Sequence, residues 1–264
     1  MLYRDYKFRQ MEERKMLLQS DYHIHASFYR VKKAGATVGP RACEQVAAAR
    51  AAGSRLIGIV EHCNASPCHP FHCLEELSAE YYAPGFDREN VFLGVEADLD
   101  DEGNDACGRC GRDKLRLHYV IGSVHLSPVQ EPDAARYISL EYKRIVNALK
   151  RNDNIDIIGH PFGEGMRWEK SGAVARWSWE MIPTAYLDEI LSLAIENGKA
   201  LEINRCNMED PVYLDFLKRM RDAGVLFSVG SDAHFPEGVG DAAVRTKQLE
   251  AIGFSEAKHW RVQL

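Results

Sequence analysis

The chain has 264 residues, of which 45% are hydrophobic and 27% are charged, and its formal net charge is −6. This composition is typical of a globular protein, and the acidic balance argues against a nucleic-acid-binding protein, which would need a basic face. No apolar run approaches the roughly 20 residues of a membrane span, and the charged N-terminus lacks the apolar core of a signal peptide. We therefore expect a cytoplasmic protein that binds neither nucleic acid nor membrane.

Seven short apolar runs predict seven β-strands. The runs are continuous rather than alternating, which is typical of parallel strands that are buried on both faces. The predicted strands are Tyr22–His25, Leu56–Val60, Val91–Val95, Tyr119–Val124, Ile155–Gly159, Ala200–Ile203 and Val225–Gly230.

Helical patterns lie between most of these strands, at Pro40–Ala52, Asp133–Lys150, Thr184–Glu196 and Asp210–Ala223. In the last of them, Asp210 is placed as the N-cap and the following proline occupies the first helical position. The alternation of strands and helices predicts an α/β fold and, at this length, a barrel. We expect a single domain over residues 1–264, with residues 1–19 as an N-terminal extension.

Two polar segments, residues 62–90 and 97–118, interrupt this alternation and are rich in Cys, His, Gly and Pro. We predict them to be long loops, which in a compact domain are usually functional.

Histidine and acidic residues follow the predicted strands, at the point where each strand ends. Because the C-terminal ends of parallel barrel strands meet on one face, we expect these side chains to converge. Residues two apart on a strand point the same way, so His23 and His25 should project together, as should Asp232 and His234. The other residues placed in this way are Asp21, Glu61, His62, Glu96, His125, His160, Glu202 and Asn204.

Imidazole nitrogen and carboxylate oxygen are ligands that suit Zn, Mn and Fe. The histidine and acidic groups at this end of the barrel are too numerous to be the ligands of a single ion. The sequence therefore predicts a cluster of two or three divalent metal ions.

Six motifs occur in one order along most of the chain: D-Y-H-I-H, G-V-E-A-D, I-G-S-V-H, I-I-G-H-P, L-E-I-N and G-S-D-A-H. This ordered set resembles the PHP (polymerase and histidinol phosphatase) superfamily. The resemblance implies a distorted, TIM-like (β/α)7 barrel with a two- or three-metal site, and the seven predicted strands agree with that barrel.

The resemblance also implies how the ligands divide among the ions. One ion would be held by His23, His25, Glu96 and Asp232. Glu96 would bridge to a second ion held by His125 and His160, and His62 and His234 would hold a third. Many members of the superfamily carry another histidine soon after the first motif, whereas residues 26–34 contain none. Two ions are therefore better supported than three, with His69 and His72 as candidate replacements.

Closely spaced divalent metals favour the hydrolysis of phosphate esters. We expect a metal-activated hydroxide to attack a small phosphomonoester, with Asp232, His234 or a metal-bound water as the group that protonates the leaving alkoxide. Guanidinium groups bind phosphate in a bidentate manner, so the candidate phosphate ligands are Arg205, Arg167 and Arg30.

L-Histidinol phosphate is one candidate substrate, and nucleotides or other phosphorylated metabolites are the alternative. A non-catalytic metal-binding PHP module is a further possibility. An amidohydrolase-like barrel acting on C–N bonds is disfavoured because no lysine stands at a strand end. The sequence indicates no oligomeric state.

The seven cysteines are unevenly placed, and without an export signal we expect thiols or metal ligands rather than disulfides. Cys68 and Cys73 in one predicted loop, with Cys107 and Cys110 in the next, are candidates for a structural zinc site. The alternative is a set of reduced cysteines in a mobile lid.

Overall fold

A parallel β-sheet forms the centre of the molecule in the computed structural model, which describes residues 17–26, 40–64, 71–204 and 208–263. Its strands are β1 Ser20–His25, β2 Leu56–Val60, β3 His62–Cys63, β4 Val91–Asp98, β5 Tyr119–Ser123, β6 Ile157–Ile158, β7 Ala200–Ile203 and β8 Leu226–Val229. They lie in the order β1-β2-β4-β5-β6-β7-β8, with the short β3 paired to β4. The seven predicted strands and the α/β class are thus confirmed.

The sheet curls until its first strand meets the segment that follows its last strand. The peptide N–H of Asp232 donates to the carbonyl of His23, and the N–H of His25 donates to the carbonyl of Ala233, both at 2.8 Å. These bonds extend the parallel pairing beyond the end of β8. The first strand and the segment after the last strand are therefore joined by hydrogen bonds at the C-terminal edge of the sheet.

Helices surround the sheet, and the structure has them at α1 Ala42–Ala51, α2 Phe71–Tyr82, α3 Gly108–Leu115, α4 Ala134–Arg151, α5 Met166–Lys170, α6 Thr184–Glu196, α7 Pro211–Ala223 and α8 Asp241–Ala251. Helices α1, α4, α6 and α7 confirm the four predicted helices. The side chain of Asp210 accepts from the first N–H groups of α7, and Gly224 ends that helix with a φ of 72°. Among the described residues, no helix is both long and apolar enough to cross a membrane.

The prediction that residues 62–90 and 97–118 are loops was wrong, because α2 and α3 form within them. In α2, the residues Leu74, Leu77 and Tyr81 are buried and recur every three or four positions, which is the spacing of one helix face. The polar and cysteine-rich composition around them hides this short apolar pattern.

Aromatic side chains fill the sheet interior toward the N-terminal ends of the strands. The ring of Tyr22 lies 6.0 Å from that of Tyr119 and 5.1 Å from that of Trp260. Glycine makes room for this packing: a Cβ on Gly94 would lie 2.4 Å from the Tyr119 ring, and one on Gly58 would lie 2.1 Å from its hydroxyl. Apolar packing therefore occupies one end of the interior, and polar side chains are left to the other.

We expect the substitution Trp260→Ala to lower the free energy of unfolding by about 3–5 kcal/mol, because it removes a large buried ring and leaves a cavity. Chemical denaturation of both proteins measures the difference. Val129→Ala is the control, because Val129 is 93% exposed, and it should change stability by less than about 0.5 kcal/mol. A Trp260→Ala protein as stable as the control would contradict this account of the interior.

Candidate metal centre

Eight histidine and acidic side chains converge at the C-terminal end of the sheet. They come from β1, β3 and β4 and from the turns that follow β5, β6 and β8. The side chains of His125 and His234 are 18% and 13% exposed, whereas most of the others are fully buried, so the cluster meets solvent on one side. The structure thereby brings together all eight residues predicted as metal ligands: His23, His25, His62, Glu96, His125, His160, Asp232 and His234.

Glu96 in β4 is the centre of this cluster and is fully buried. Its Oε1 lies 2.8 Å from Nε2 of His160 and 3.2 Å from Nε2 of His125. Its Oε2 lies 2.8 Å from Nδ1 of His62. Burial opposes ionisation, but the neighbouring imidazoles of His125, His23 and His62 hold the pKa of Glu96 well below its ordinary value.

Asp232 is the second carboxylate of the cluster, with Oδ1 3.2 Å from Nε2 of His25 and 3.8 Å from Nε2 of His23. Burial opposes its ionisation too, yet the hydrogen bond from His25 and the charge of His23 hold the pKa of Asp232 well below its ordinary value. Its φ of 55° is left-handed, and it lies beyond β8. The prediction that Asp232 and His234 project from one strand was therefore wrong: they reach the cluster from a turn.

The imidazole of His234 stacks on that of His25, with ring centroids 4.1 Å apart. Its Nδ1 donates to the carbonyl of Asp232 at 3.0 Å, which turns Nε2 toward the cluster. That Nε2 lies 3.2 Å from Nε2 of His62. The turn after β8 thus contributes one carboxylate and one imidazole to different parts of the cluster.

Two outer carboxylates orient histidines of the cluster. Nδ1 of His23 donates to Glu202 Oε1 at 2.8 Å, and Nδ1 of His125 donates to Asp98 Oδ1 at 2.6 Å. In the neutral form each ring then directs the lone pair of Nε2 into the cluster, as metal-ligating histidines do. Burial lowers the pKa of both rings, but the nearby carboxylates, including Glu96, raise the pKa of each well above its ordinary value. The carboxylates around His23 and His125 therefore favour a positive charge on each of these two rings.

Sequence reasoning assigned no role to either of these outer residues. Glu202 was recognised only as a strand-end acid, and Asp98 was not singled out. The signal for Asp98 was present, because it stands two residues after Glu96 in the motif G-V-E-A-D and so shares its side of the strand.

Asp21 was predicted to lie with the cluster, but its side chain binds backbone groups of the sheet instead. Its Oδ1 accepts from the N–H groups of Ser231 and His23, at 2.9 and 3.2 Å. Burial raises the pKa of Asp21 to about 7. Asp21 therefore links β1 to the segment that closes the sheet.

The spacing of the ligand atoms fits divalent metal ions. The Nε2 atoms of His23 and His25 are 3.1 Å apart, and those of His62 and His234 are 3.2 Å apart. Nitrogen atoms that share one tetrahedral zinc ion lie about 3.3 Å apart. Within the described residues, the groups with ligand atoms inside 4.8 Å are His25, His62 and His234; His23, His25, Glu96 and Asp232; and His62, Glu96 and His125.

One of these groups is the same as the first ligand set that the family resemblance implies. The second set differs, because His62 rather than His160 groups with Glu96 and His125. His160 still contacts Glu96, at 2.8 Å. The residues that form the cluster thus agree with the sequence analysis, whereas the way in which they group around individual ions agrees only in part.

The predicted phosphate-binding arginines are described only in part. Arg30 and Arg205 lie outside the described residues. Arg167, in α5, is half exposed and forms an ion pair with Glu164 through Nε. Its role toward phosphate stays a prediction.

The predicted zinc-binding cysteines do not gather in the described part of the chain. Cys68 lies outside that part, and within it Cys73, Cys107 and Cys110 form no group with metal-ligand spacing. Cys107 instead hydrogen-bonds the thiol of Cys63 and lowers its pKa. The structural zinc stays a prediction.

We expect Asp98→Ala to weaken metal binding by about 10–100-fold, because His125 loses the partner that orients it. Competition against a chromophoric chelator measures the affinity. Asp101→Ala is the matched control, since Asp101 lies outside the cluster in a partly exposed ion pair with Arg144. Equal affinities of the two variants would show that Asp98 does not orient a ligand.

No family model matches the sequence. The chain is 30% identical to a probable phosphatase of Thermoanaerobacter sp. (strain X514) over 174 residues, which cover 63% of this chain and 61% of that protein. It is 23% identical to a probable phosphatase of Vibrio campbellii (strain ATCC BAA-1116) over 251 residues, which cover 92% and 88% of the two chains. The chain thus matches less than two thirds of the Thermoanaerobacter relative's length.

Among solved structures, the chain is similar to histidinol phosphate phosphatase from Lactococcus lactis subsp. lactis Il1403, complexed with zinc, L-histidinol and phosphate. The TM-score is 0.56 at 18% identity, and the match covers 93% of this chain and 100% of the other. This likeness confirms the fold that the ordered motifs predicted. The chain is therefore related in sequence to proteins named probable phosphatases and has the fold of a histidinol phosphate phosphatase.

Proposed function

We propose that the chain is a metal-dependent phosphoesterase that hydrolyses a small phosphomonoester. The observation that carries the proposal is the cluster centred on Glu96, whose ligand atoms lie at distances suited to metal ions. The sequence relatives named probable phosphatases support this reaction class.

The cluster would hold two or three divalent ions, of Zn, Mn or Fe. When bound, such ions would lower the pKa of a water molecule and neutralise charge on the phosphoryl oxygens. Mixed imidazole and carboxylate ligands accept several of these metals, and the zinc in the Lactococcus enzyme supports zinc here. The residues that would hold the ions are His23, His25, His62, Glu96, His125, His160, Asp232 and His234.

The chain's own residues would orient the substrate and move protons around the reacting phosphate. His125 and His234 are the partly exposed members of the cluster, so the phosphate would approach from their side. Asp232 or His234 would protonate the leaving alkoxide. Because Nδ1 of His234 donates to the Asp232 carbonyl, its proton would leave from Nε2, and His234 would take this role in the two-ion arrangement, in which it holds no ion. Arg167, with Arg205 and Arg30, would bind the phosphate.

L-Histidinol phosphate is the first substrate to test, because the Lactococcus enzyme of the same fold is a histidinol phosphate phosphatase bound to L-histidinol and phosphate. Nucleotides and other phosphorylated metabolites are the alternative substrates for the same cluster.

We expect the metal-loaded protein to release phosphate from monoesters and the chelator-treated protein to release none. The panel contains p-nitrophenyl phosphate, L-histidinol phosphate and nucleoside monophosphates, each with added Mn²⁺ or Zn²⁺, and liberated phosphate is measured. Failure of a metal-loaded protein to hydrolyse any of these esters would sink the proposal and favour a non-catalytic metal-binding module.

We expect Glu96→Gln to lower metal content and phosphatase activity together, the activity by at least about 100-fold, because the central negative charge of the cluster is lost. Metal analysis by mass spectrometry and phosphate release are measured on the same samples. Glu131→Gln makes the same change at a buried glutamate outside the cluster and should preserve both. Full activity in the Glu96→Gln protein would show that the cluster is not the active site.

A further inference from the structure

The turn after β6 contains two non-glycine residues with left-handed backbone conformations. His160 has a φ of 24° and Phe162 a φ of 56°. Residues with a side chain rarely adopt such values, which persist only where the surrounding structure holds them. The contacts of this turn therefore matter for the imidazole that it presents to Glu96.

Each of these two residues donates its peptide N–H to a buried carboxylate. The N–H of His160 donates to Glu202 Oε2 at 2.9 Å, and that of Phe162 donates to Glu141 Oε1 at 2.5 Å. Glu202 already belongs to the outer layer of the cluster through His23. Glu141 comes from helix α4 and Glu202 from strand β7, so residues of two different elements hold the turn.

Glu141 occupies a position in α4 where an apolar side chain is expected. It is only 1% exposed, and it stands between Ile138 and Ile145 in the stripe of residues that α4 buries. A carboxyl group in such a stripe is unfavourable unless it binds a polar partner. Its hydrogen-bond partner is the peptide N–H of Phe162, and the side chain of Tyr137, in the same helix, lies beside it.

We propose that Glu141 is a positioning residue for the metal cluster. By accepting from the N–H of Phe162, it fixes the left-handed turn that places Nε2 of His160 2.8 Å from Glu96 Oε1. Without that acceptor, the turn relaxes toward ordinary backbone conformations and withdraws the imidazole. The proposal rests on the proposed metal-dependent function, but it concerns metal binding and not the chemical step.

Three substitutions of Glu141 in the full chain separate its hydrogen bond from its charge and its volume. Glu141→Gln keeps an acceptor oxygen at the same reach, Glu141→Asp withdraws it by one methylene, and Glu141→Leu removes it. With Zn²⁺ or Co²⁺ titrated against a competing chelator, the glutamine variant should match the wild type, whereas the other two should bind about 10–100-fold more weakly.

Ile145→Ala is the matched control, because it weakens the packing of the same helix one turn away from Glu141. It should lower the melting temperature and leave the metal affinity unchanged. Wild-type affinity in the aspartate and leucine variants overturns the proposal. So does an equal loss of affinity in the glutamine variant or in Ile145→Ala, since either would point to general destabilisation.

Hydrogen exchange provides a second measurement that needs no substitution. The amide of Phe162 in the wild-type chain should be protected from exchange, and exchange at the rate of an unstructured peptide overturns the proposal even where the variants fail to fold. Neither measurement uses a substrate. If the wild-type protein binds metal but hydrolyses no ester, the proposed phosphoesterase activity is wrong, whereas the proposed role of Glu141 in metal binding can still be tested.

Discussion

The structure depends on one buried carboxylate that must be surrounded by partners. Glu96 has no exposure to solvent, and a charge in that position is unfavourable unless it is paired and hydrogen-bonded. Its partners are imidazole nitrogens supplied by strands and turns far apart in the sequence. A sheet of parallel strands, with every C-terminal end on one edge, brings these groups to a single carboxylate. The curl of the sheet and the position of the cluster are thus consequences of the same arrangement.

Around this centre, the polar residues form successive layers with different tasks. Histidines contact Glu96, and a second set of carboxylates, Glu202 and Asp98, binds the far nitrogens of those histidines. Glu202 also accepts from the backbone of His160, so that one side chain fixes both a ring and a turn. Each layer restricts the freedom of the layer inside it, which is how a cluster of flexible side chains acquires a defined geometry.

The sequence was most informative where a pattern repeats. Continuous apolar runs identified the seven strands, and histidines and acidic residues at their ends, together with the family resemblance, identified the eight residues of the cluster. The sequence was least informative where geometry depends on single backbone angles, as at His160 and Asp232, whose left-handed conformations decide which atoms meet. A glutamate inside a helical pattern, such as Glu141, is normally read as facing solvent. Helix α2 was missed because its short apolar face lies within a segment rich in Cys, His and Pro.

The closure of the sheet by the segment after β8 has a consequence for the order in which the molecule forms. His23 and His25 are synthesised more than 200 residues before the backbone that fixes them, at Asp232 and Ala233. Contacts so distant along the chain form slowly, because a long loop must be closed before they contribute. The cluster is therefore completed only after residue 233 has been synthesised, and a nascent chain carries several of its imidazoles before they have the backbone that fixes them.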